Sequence, residues 1–312
     1  MNVLVTGGAG FIGRWVVEKL LAQGHRVTAL DNLSNGRLMN IDEFRDNPDF
    51  LIIEGDIKDR DALDKVFAGS FDLVYHLAAS INVQDSIDDP RTTFDNDVTG
   101  TFNVLEECRR QGIKMVFMST CMVYERSLDE AGISEEHPVK PASPYAASKL
   151  SGEALTLSYY YAYGLPTVVV RPFNTYGPFQ KSSGEGGVVA IFIQHDLEGK
   201  DLNIYGDGTQ TRDLLYVEDC ADFVIAAGMD SRANGQLLNA GLGLDVSINE
   251  LAGLICKDKK RIKHVPHIHP QSEIQKLLCN YEKAQALLGW QPQVSLEEGI
   301  ARTREWIAAL VR

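Results

Sequence analysis

The stretch Val3-Leu4-Val5-Thr6-Gly7-Gly8-Ala9-Gly10-Phe11-Ile12-Gly13-Arg14-Trp15-Val16-Val17 decides the fold of this chain. An apolar run ends at Thr6, and Gly8-x-Gly10-x-x-Gly13 then opens a helix whose apolar residues recur at helical spacing. Glycines here allow a tight turn, a close approach of the backbone to a pyrophosphate and close packing of helix on strand. Free N–H groups at the helix start bind phosphate. The stretch therefore predicts a strand, a turn and a helix that bind a dinucleotide.

The next predicted strand, Arg26 to Asp31, ends in a carboxylate about 20 residues past the glycines. A carboxylate at this place accepts the ribose hydroxyls of an adenosine and repels a 2′-phosphate, so Asp31 predicts NAD rather than NADP. A turn over Asn32 to Gly36 follows. After a third strand, Phe50 to Glu54, Asp56 is placed to reach the adenine amino group.

Strands and helices alternate through the first half of the chain. After the third strand we expect a helix over Arg60 to Phe67, a strand over Leu73 to His76, a helix over Pro90 to Gln111 and a strand over Met115 to Ser119. This alternation predicts an α/β fold with a Rossmann-type doubly wound parallel sheet and right-handed crossovers. Small residues at 77–79 let the chain lie against a cofactor.

The remainder predicts a smaller α/β substrate-binding domain. We expect an NAD-binding domain over residues 1–171, rejoined by about 213–239, and a mainly substrate-binding domain over residues 172–312. Its predicted elements are a mobile loop at Gly184 to Gly187, a helix from Val188, a strand over Leu214 to Val217, and helices near Glu218 to Met229, Ser247 to Cys256, Tyr281 to Leu288 and Ser295 to Leu310.

A tyrosine and a lysine four residues apart indicate catalysis. Tyr145 and Lys149 follow Ser143-Pro144 in a helix predicted to reach about Tyr163, and they share one helical face. An ammonium beside a phenol lowers a pKa that is otherwise about 10, so the pair predicts that Tyr145 acts as a base. Such pairs are common by chance, but this one follows a dinucleotide fingerprint and a strand that ends in Ser119-Thr120.

Composition excludes several classes of function. The chain has 312 residues, of which 44% are hydrophobic, and a formal net charge of −13. This charge argues against binding to nucleic acid or to an anionic membrane surface. No apolar run approaches the roughly 18 residues of a membrane helix, and the first strand begins at Asn2, which leaves no room for a signal peptide. We therefore expect a cytoplasmic protein.

Cysteine and histidine residues predict neither disulfides nor a metal site. The five cysteines are scattered and include no CxxC pair, which is typical of reduced thiols. His264, His267 and His269 lie near one another in sequence, but no carboxylate or cysteine completes a ligand set. We expect no metal.

These motifs together resemble the extended short-chain dehydrogenase/reductases of the NAD-dependent sugar-nucleotide epimerase/dehydratase family, which includes the UDP-glucose 4-epimerases. The resemblance covers almost the whole chain. Besides the glycine turn, Asp31 to Gly36, and Tyr145 with Lys149, it rests on further motifs: Gly55-Asp56-Ile57, His76-Leu77-Ala78-Ala79, Arg171-Pro172-Phe173-Asn174-Thr175-Tyr176-Gly177-Pro178, Gly206-Asp207-Gly208-Thr209-Gln210-Thr211-Arg212-Asp213 and Leu288-Gly289-Trp290.

The resemblance implies a role for each matching residue. Tyr145 is the base at the sugar 4-hydroxyl, Thr120 hydrogen-bonds that oxygen, and Lys149 holds the nicotinamide ribose. The implied NAD contacts, beyond Tyr145 and Lys149, are Gly7, Gly10, Phe11, Ile12, Gly13, Asp31, Asn32, Asn35, Gly36, Asp56, Ile57, Leu77, Ala78, Ala79 and Asn96. The implied contacts to a nucleotide-diphosphate sugar are Ser80, Thr120, Asn174, Val188, Tyr205, Arg212 and Glu273, with Asn174 and Arg212 on the diphosphate side.

The resemblance also implies a homodimer built from the two long helices. The tyrosine-rich end of the second of these helices, at Tyr159, Tyr160, Tyr161 and Tyr163, favours such an interface. Cell-surface polysaccharide or glycan assembly is the usual setting of the family.

Three departures from the family pattern bear on the reaction. Cys121 and Met122 stand where 4,6-dehydratases carry an acidic or Ser-Glu pair, Asp97 stands where asparagine is common before Val-x-Gly-Thr, and no arginine lies near Pro270. Because methionine cannot transfer a proton, we expect a 4-epimerase that needs Tyr145 alone as base. The alternatives are a 4,6- or 5,6-dehydratase in which Cys121, Glu125 or an unrecognised residue supplies the missing acid or base, and a non-catalytic NAD-sensing protein on the same fold.

Overall fold

The computed structural model describes residues 1–127, 131–182, 187–266 and 274–311. The strands are β1 (Asn2–Thr6), β2 (Arg26–Asp31), β3 (Phe50–Glu54), β4 (Leu73–His76), β5 (Lys114–Met118), β6 (Thr167–Pro172), β7 (Asn174–Tyr176), β8 (Leu202–Tyr205), β9 (Thr211–Tyr216), β10 (Leu237–Ala240), β11 (Asp245–Ser247), β12 (Ile262–Val265) and β13 (Lys276–Leu277). The helices are α1 (Phe11–Ala22), α2 (Arg60–Phe67), α3 (Val83–Asp88), α4 (Pro90–Phe94), α5 (Gly100–Gln111), α6 (Pro144–Tyr163), α7 (Val188–Leu197), α8 (Val217–Met229), α9 (Ile248–Ile255), α10 (Glu282–Leu288) and α11 (Leu296–Val311).

The predicted doubly wound sheet is confirmed. Its strand order is β3-β2-β1-β4-β5-β6-β10, and every neighbouring pair is parallel. The central strands are covered on both faces, so β6 is buried along its whole length, including the run Val168 to Val170. One apolar cluster packs α1 and α8 on the first face, and a second packs α2, α5 and α6 on the other. The carboxyl ends of β1, β2, β4 and β5 therefore meet along one edge, where such sheets bind ligands.

The helix predicted over Pro90 to Gln111 is interrupted. α4 passes into one turn of π-helix at Asp95–Thr99 before α5 begins at Gly100. A π turn inserts one extra residue and is found mostly at functional sites. It turns Asp97 inward, and it lets Gly100 pack closely on Ile57, since a Cβ at Gly100 would lie 2.5 Å from Ile57 Cδ1.

The second half of the chain contains a smaller layer and also returns to the main sheet. β11, β9 and β13 form a small sheet, β7 pairs in parallel with residues 214–216 of β9, and β12 pairs with β8. A separate apolar cluster joins this layer to α7, α9 and α11. β10 pairs with β6 and α8 packs on α1, so this part of the chain completes the first sheet. Sequence periodicity left β6, β7 and β10 unpredicted, and it missed β8, β11, β12 and β13, each of which spans only two to four residues.

Several features singled out from the sequence lie outside the described residues: most of the Gly184 to Gly187 loop, the substrate residue Glu273, and His267 and His269. Within the described ranges, no helix is both long enough and apolar enough to cross a membrane.

Candidate active site

The glycine turn forms a cradle that a side chain would fill. Gly7 has φ +72°, and a Cβ there would lie 2.8 Å from the backbone nitrogen of Ala78. A Cβ at Gly13 would lie 2.0 Å from the carbonyl oxygen of Gly7, and Gly10 occupies the position before the first turn of α1. The amide of Asn40 donates to the carbonyl oxygen of Ala9 at 2.8 Å and fixes the loop. This close-packed backbone beside a helix N-terminus fits the pyrophosphate of a dinucleotide.

Asp31 lies beside the cradle at the end of β2. Its two carboxylate oxygens accept backbone N–H groups from Ala9 at 3.0 Å and from Leu33 at 2.8 Å. Burial raises the pKa of Asp31, and the two hydrogen bonds oppose that rise. A Cβ at Gly36 would lie 2.8 Å from the carboxylate, so only glycine leaves it this space. The fixed carboxylate fits the ribose hydroxyls of NAD.

Two further predicted cofactor residues meet each other next to this carboxylate. The amide of Asn32 donates to Asp56 Oδ2 at 3.1 Å. Partial burial raises the pKa of Asp56, but hydrogen bonds from the Lys58 backbone and from Asn32 outweigh it, and the pKa is lowered overall. Asn35 accepts a hydrogen bond from Lys181, which lies after β7 in the second half of the chain. Residues from both halves of the chain therefore contact each other at the adenosine end of the predicted site.

His76 ties the cradle to the π turn. Thr6 Oγ1 accepts from the backbone N–H of Ala78 at 3.2 Å, so its hydrogen goes to His76 Nδ1 at 2.7 Å. Thr101 Oγ1 donates to the carbonyl oxygen of Asp97 at 2.6 Å, so it accepts from His76 Nε2 at 2.9 Å. These partners fit a neutral ring with its proton on Nε2. Burial and the nearby Lys149 ammonium lower the pKa of His76 to about 3.

The structure brings Thr120, Tyr145 and Lys149 together at the end of β5. All three are buried, and Thr120 is hydrogen-bonded to Tyr145. Lys149 Nζ donates to the carbonyl oxygen of Met118 at 2.9 Å. Ser143 caps α6 and accepts from the N–H of Ala146 at 3.2 Å, which fixes the turn that carries Tyr145.

The predicted direction of the Tyr145 pKa is wrong for this structure. Burial raises the pKa of Tyr145, the Asp97 carboxylate raises it further, and the hydrogen bond from Thr120 lowers it. Burial lowers the pKa of Lys149, and the carboxylates of Asp97 and Glu153 oppose that change. The i,i+4 spacing placed the two groups on one helical face, but burial, and not the charge of Lys149, dominates the pKa of Tyr145.

Cys121 and Met122 have no acid–base properties of use near neutral pH. Cys121 is buried in an apolar cluster with Val123 and Cys279, and burial raises the pKa of its thiol to about 12. Glu125, the other candidate, is half-exposed and accepts an ion-paired hydrogen bond from Lys140 at 3.0 Å. Near neutral pH the Cys121 thiol keeps its proton.

The predicted substrate residues lie on several elements. Ser80 and Asn96 contact each other, with the Asn96 amide donating to Ser80 Oγ at 3.1 Å. Asn174 lies on β7 and its amide oxygen is buried without a partner among the described residues, which leaves an acceptor available. Arg212 on β9 donates to the carbonyl oxygen of Ile274 at 2.8 Å.

The remaining two predicted residues lie at element ends. Val188 begins α7 and is half-buried, whereas Tyr205 ends β8 with 44% of its surface exposed.

Two buried charged groups supporting the site were missed from the sequence. Glu153, one turn after Lys149 on α6, accepts from Arg171 Nε at 2.7 Å and from the hydroxyl of Ser119. Asp213 accepts backbone N–H groups from Leu242 at 2.6 Å and from two other residues, while burial raises its pKa to about 7. Asp213 ends a motif that the sequence singled out, whereas Glu153 lies one turn beyond the Tyr145 and Lys149 motif, and the partners of both acids are far away along the chain.

The histidine cluster yields no metal site in the part of the chain that the structure describes, since no three histidine, cysteine or acidic residues there converge. His264 Nε2 is 2.9 Å from Asn249 Oδ1. His267 and His269 lie outside the described residues.

A glycine cradle, an acid at the second strand and a Thr-Tyr-Lys group at the end of β5 define a short-chain dehydrogenase/reductase-type enzyme site. The chain belongs to the NAD-dependent epimerase/dehydratase family, which it matches over residues 3–241. Its cofactor is therefore NAD, and the relatives of the chain include sugar-nucleotide epimerases, dehydratases and decarboxylases.

Individual relatives cover nearly all of the chain. A UDP-glucose 4-epimerase of Mycolicibacterium smegmatis is 39% identical over 98% of each chain. A dTDP-glucose 4,6-dehydratase of Streptomyces niveus is 33% identical over 98% of this chain and 92% of the relative. The solved structure of Pal from Bacillus thuringiensis is 64% identical, with a TM-score of 0.98 over 99% of this chain and 100% of that one. Similarity alone therefore does not select one reaction, since relatives of comparable identity also include decarboxylases.

Proposed function

We propose that this protein is an NAD-dependent sugar-nucleotide 4-epimerase that works through a transient 4-keto sugar. The observation that carries the proposal is the joint burial of Thr120, Tyr145 and Lys149 beside the dinucleotide cradle, next to a position where Cys121 and Met122 supply no second acid or base. Epimerisation at C4 needs one base, whereas elimination needs further proton transfers.

Each side chain has a separate task in this reaction. Bound NAD would supply a hydride acceptor and donor for C4 and a positive charge that favours the phenolate of Tyr145. Tyr145 accepts the proton of the 4-hydroxyl and later returns it, and Thr120 hydrogen-bonds the same oxygen. Lys149 holds the nicotinamide ribose. The rest of the substrate is held on the diphosphate side by Asn174 and Arg212, where a guanidinium suits a diphosphate.

Heavy water distinguishes the two reaction types. UDP-, dTDP-, GDP- and CDP-hexoses, incubated with the protein in D₂O and followed by proton NMR and mass spectrometry, should give a 4-epimer without deuterium on carbon. The hydride returns within the site, so no solvent hydrogen enters. Tyr145→Phe should reduce turnover by about 10²- to 10⁴-fold while NAD still binds. Tyr161→Phe, which removes a hydroxyl from a side chain that is 76% exposed, is the matched control.

Loss of water, or deuterium at C5 or C6, would contradict epimerisation and favour a dehydratase. In that case Cys121→Ser should strongly impair elimination and spare NAD binding, because the thiol is the ionisable group in the place of the acidic pair. Bound NAD without turnover of any sugar nucleotide would favour the sensing protein.

We also propose that the chain forms a homodimer through α5 and α6. Phe102 on α5 is 42% exposed, and Tyr161 and Tyr163 on α6 are 76% and 61% exposed. Tyr159, in contrast, is buried and donates to Glu106 Oε1 at 2.6 Å. Burying the exposed rings is favourable. A monomer in sedimentation velocity at micromolar concentration would count against this interface.

The division of the chain at residue 172 into cofactor and substrate parts is likewise proposed here, as are a cytoplasmic location and a role in polysaccharide assembly. The packing of α8 and β10 on the first sheet supports assigning residues 217–240 to the cofactor part.

A further inference from the structure

Asp97 is a buried carboxylate whose hydrogen bonds satisfy only one of its two oxygens. It is 1% exposed and lies in the π turn before α5. Its Oδ1 accepts the backbone N–H of Ser80 at 2.6 Å and the Asn96 amide at 3.4 Å. Its Oδ2 is buried and has no hydrogen-bond partner among the described residues. Such a group is costly to bury, so its presence calls for a reason.

The turn that carries Asp97 is fixed by hydrogen bonds that involve Thr101 and His76. Thr101 donates to the Asp97 carbonyl oxygen at 2.6 Å and is itself held by His76 at 2.9 Å. Because this imidazole is neutral, it provides no positive charge for the carboxylate. The hydrogen bonds at Oδ1 would be made equally well by an asparagine amide oxygen, so they do not explain an aspartate at this position.

The charge of Asp97 acts on the catalytic pair. Lys149 and Tyr145 are 3% and 8% exposed. The negative charge of Asp97 raises the pKa of each group. The Lys149 ammonium in turn lowers the pKa of Asp97 against the raising effect of burial.

The other ionisable groups around the pair are compensated or neutral. Glu153 is ion-paired with Arg171, His76 is neutral, and the Cys121 thiol keeps its proton. Among the described residues, Asp97 is therefore a buried carboxylate without an ion pair, and it is close enough to the Lys149 ammonium and the Tyr145 phenol to raise the pKa of both.

We propose that Asp97 is an electrostatic positioning residue whose negative charge keeps Lys149 in its ammonium form and sets the pH range in which Tyr145 accepts a proton. The proposal rests on the proposed function for the roles of Tyr145 and Lys149. Asp97 acts through those two groups and does not itself take part in proton transfer.

Asp97→Asn tests the charge while keeping the hydrogen bond to Ser80. Removing a negative charge lowers the pKa of Tyr145 and of Lys149. The acid limb of the rate profile, where Tyr145 must lose its proton, and the alkaline limb, where Lys149 must keep its proton, should both move to lower pH by about one unit or more. Asp95→Asn removes a half-exposed carboxylate from the same turn and should leave both limbs in place.

A second measurement does not depend on turnover. Tyrosinate absorbance is titrated in the protein and in Tyr145→Phe, and the difference isolates Tyr145. In Asp97→Asn the Tyr145 titration should move to lower pH by the same amount as the limbs of the rate profile. If Asp97→Asn folds poorly, Asp97→Ser should move the titration in the same direction. An unshifted Tyr145 titration would overturn the proposal. If the Tyr145 titration shifts in a protein that turns over no sugar nucleotide, the role of Asp97 is supported and the proposed reaction is rejected.

Discussion

The neutral imidazole of His76 should make the stability of this protein fall as the pH is lowered. His76 is 1% exposed, and both ring nitrogens are engaged by threonine hydroxyls at 2.7 and 2.9 Å. Protonation would place a donor at Nδ1, where the ring must accept the hydrogen of Thr6. The folded-state pKa of about 3 lies below the ordinary value of 6.5, so folding favours the neutral form.

The sign and size follow from linkage. A group with a lowered folded-state pKa contributes stability that is complete above its unfolded value and is lost as the pH falls from there through its folded value. Between pH 6.5 and 3 the unfolded chain binds about one more proton at His76 than the folded protein does. The free energy of unfolding therefore falls by about 1.4 kcal/mol for each unit that the pH is lowered. From pH 6.5 to 5 the loss should be about 2 kcal/mol.

His76→Gln isolates this contribution, because glutamine does not titrate. Buried acids such as Asp213, with a raised pKa of about 7, respond to pH in the opposite sense, but they are common to both proteins. Urea unfolding at fixed protein concentration should show the variant less stable at pH 7. The gap between the two free energies of unfolding should then close by about 1.4 kcal/mol per pH unit below 6.5. A gap that stays constant from pH 7 to pH 5 would refute the neutral, buried imidazole.

Three further changes probe the site's supports. Arg171→Met leaves the buried Glu153 carboxylate without its ion pair and should lower the free energy of unfolding in urea by about 3–5 kcal/mol. Replacing both residues with apolar ones should recover much of that loss. Gly13→Ala places a methyl group 2.0 Å from a carbonyl oxygen and should weaken NAD binding by at least about tenfold in calorimetry. Gly253→Ala, whose added methyl group meets no atom within 4 Å, should leave NAD binding unchanged. Asp31→Asn removes the charge that opposes a 2′-phosphate and should raise the NADP-to-NAD affinity ratio by roughly tenfold or more; an unchanged ratio would argue against its role.

The sequence by itself determined the parts that depend on neighbours along the chain. The strand, glycine turn and helix at the start, the acid at the end of β2, and Tyr145 and Lys149 on one helical face all follow from periodicity and local backbone geometry. The parallel sheet follows as well, because alternating strands and helices have few other ways to cover their apolar faces.

Tertiary structure decided what depends on burial and on contacts between distant segments. Burial dominates the pKa of Tyr145 and raises it, and the spacing of residues along the chain does not reveal burial. The His76 link to Thr101 and the Glu153 pair with Arg171 join residues that lie on separate elements. The π turn that seals Asp97 inside departs from the regular helix that periodicity predicts. Local preferences set which elements form, whereas the loss of water around each charge is set only when those elements pack together.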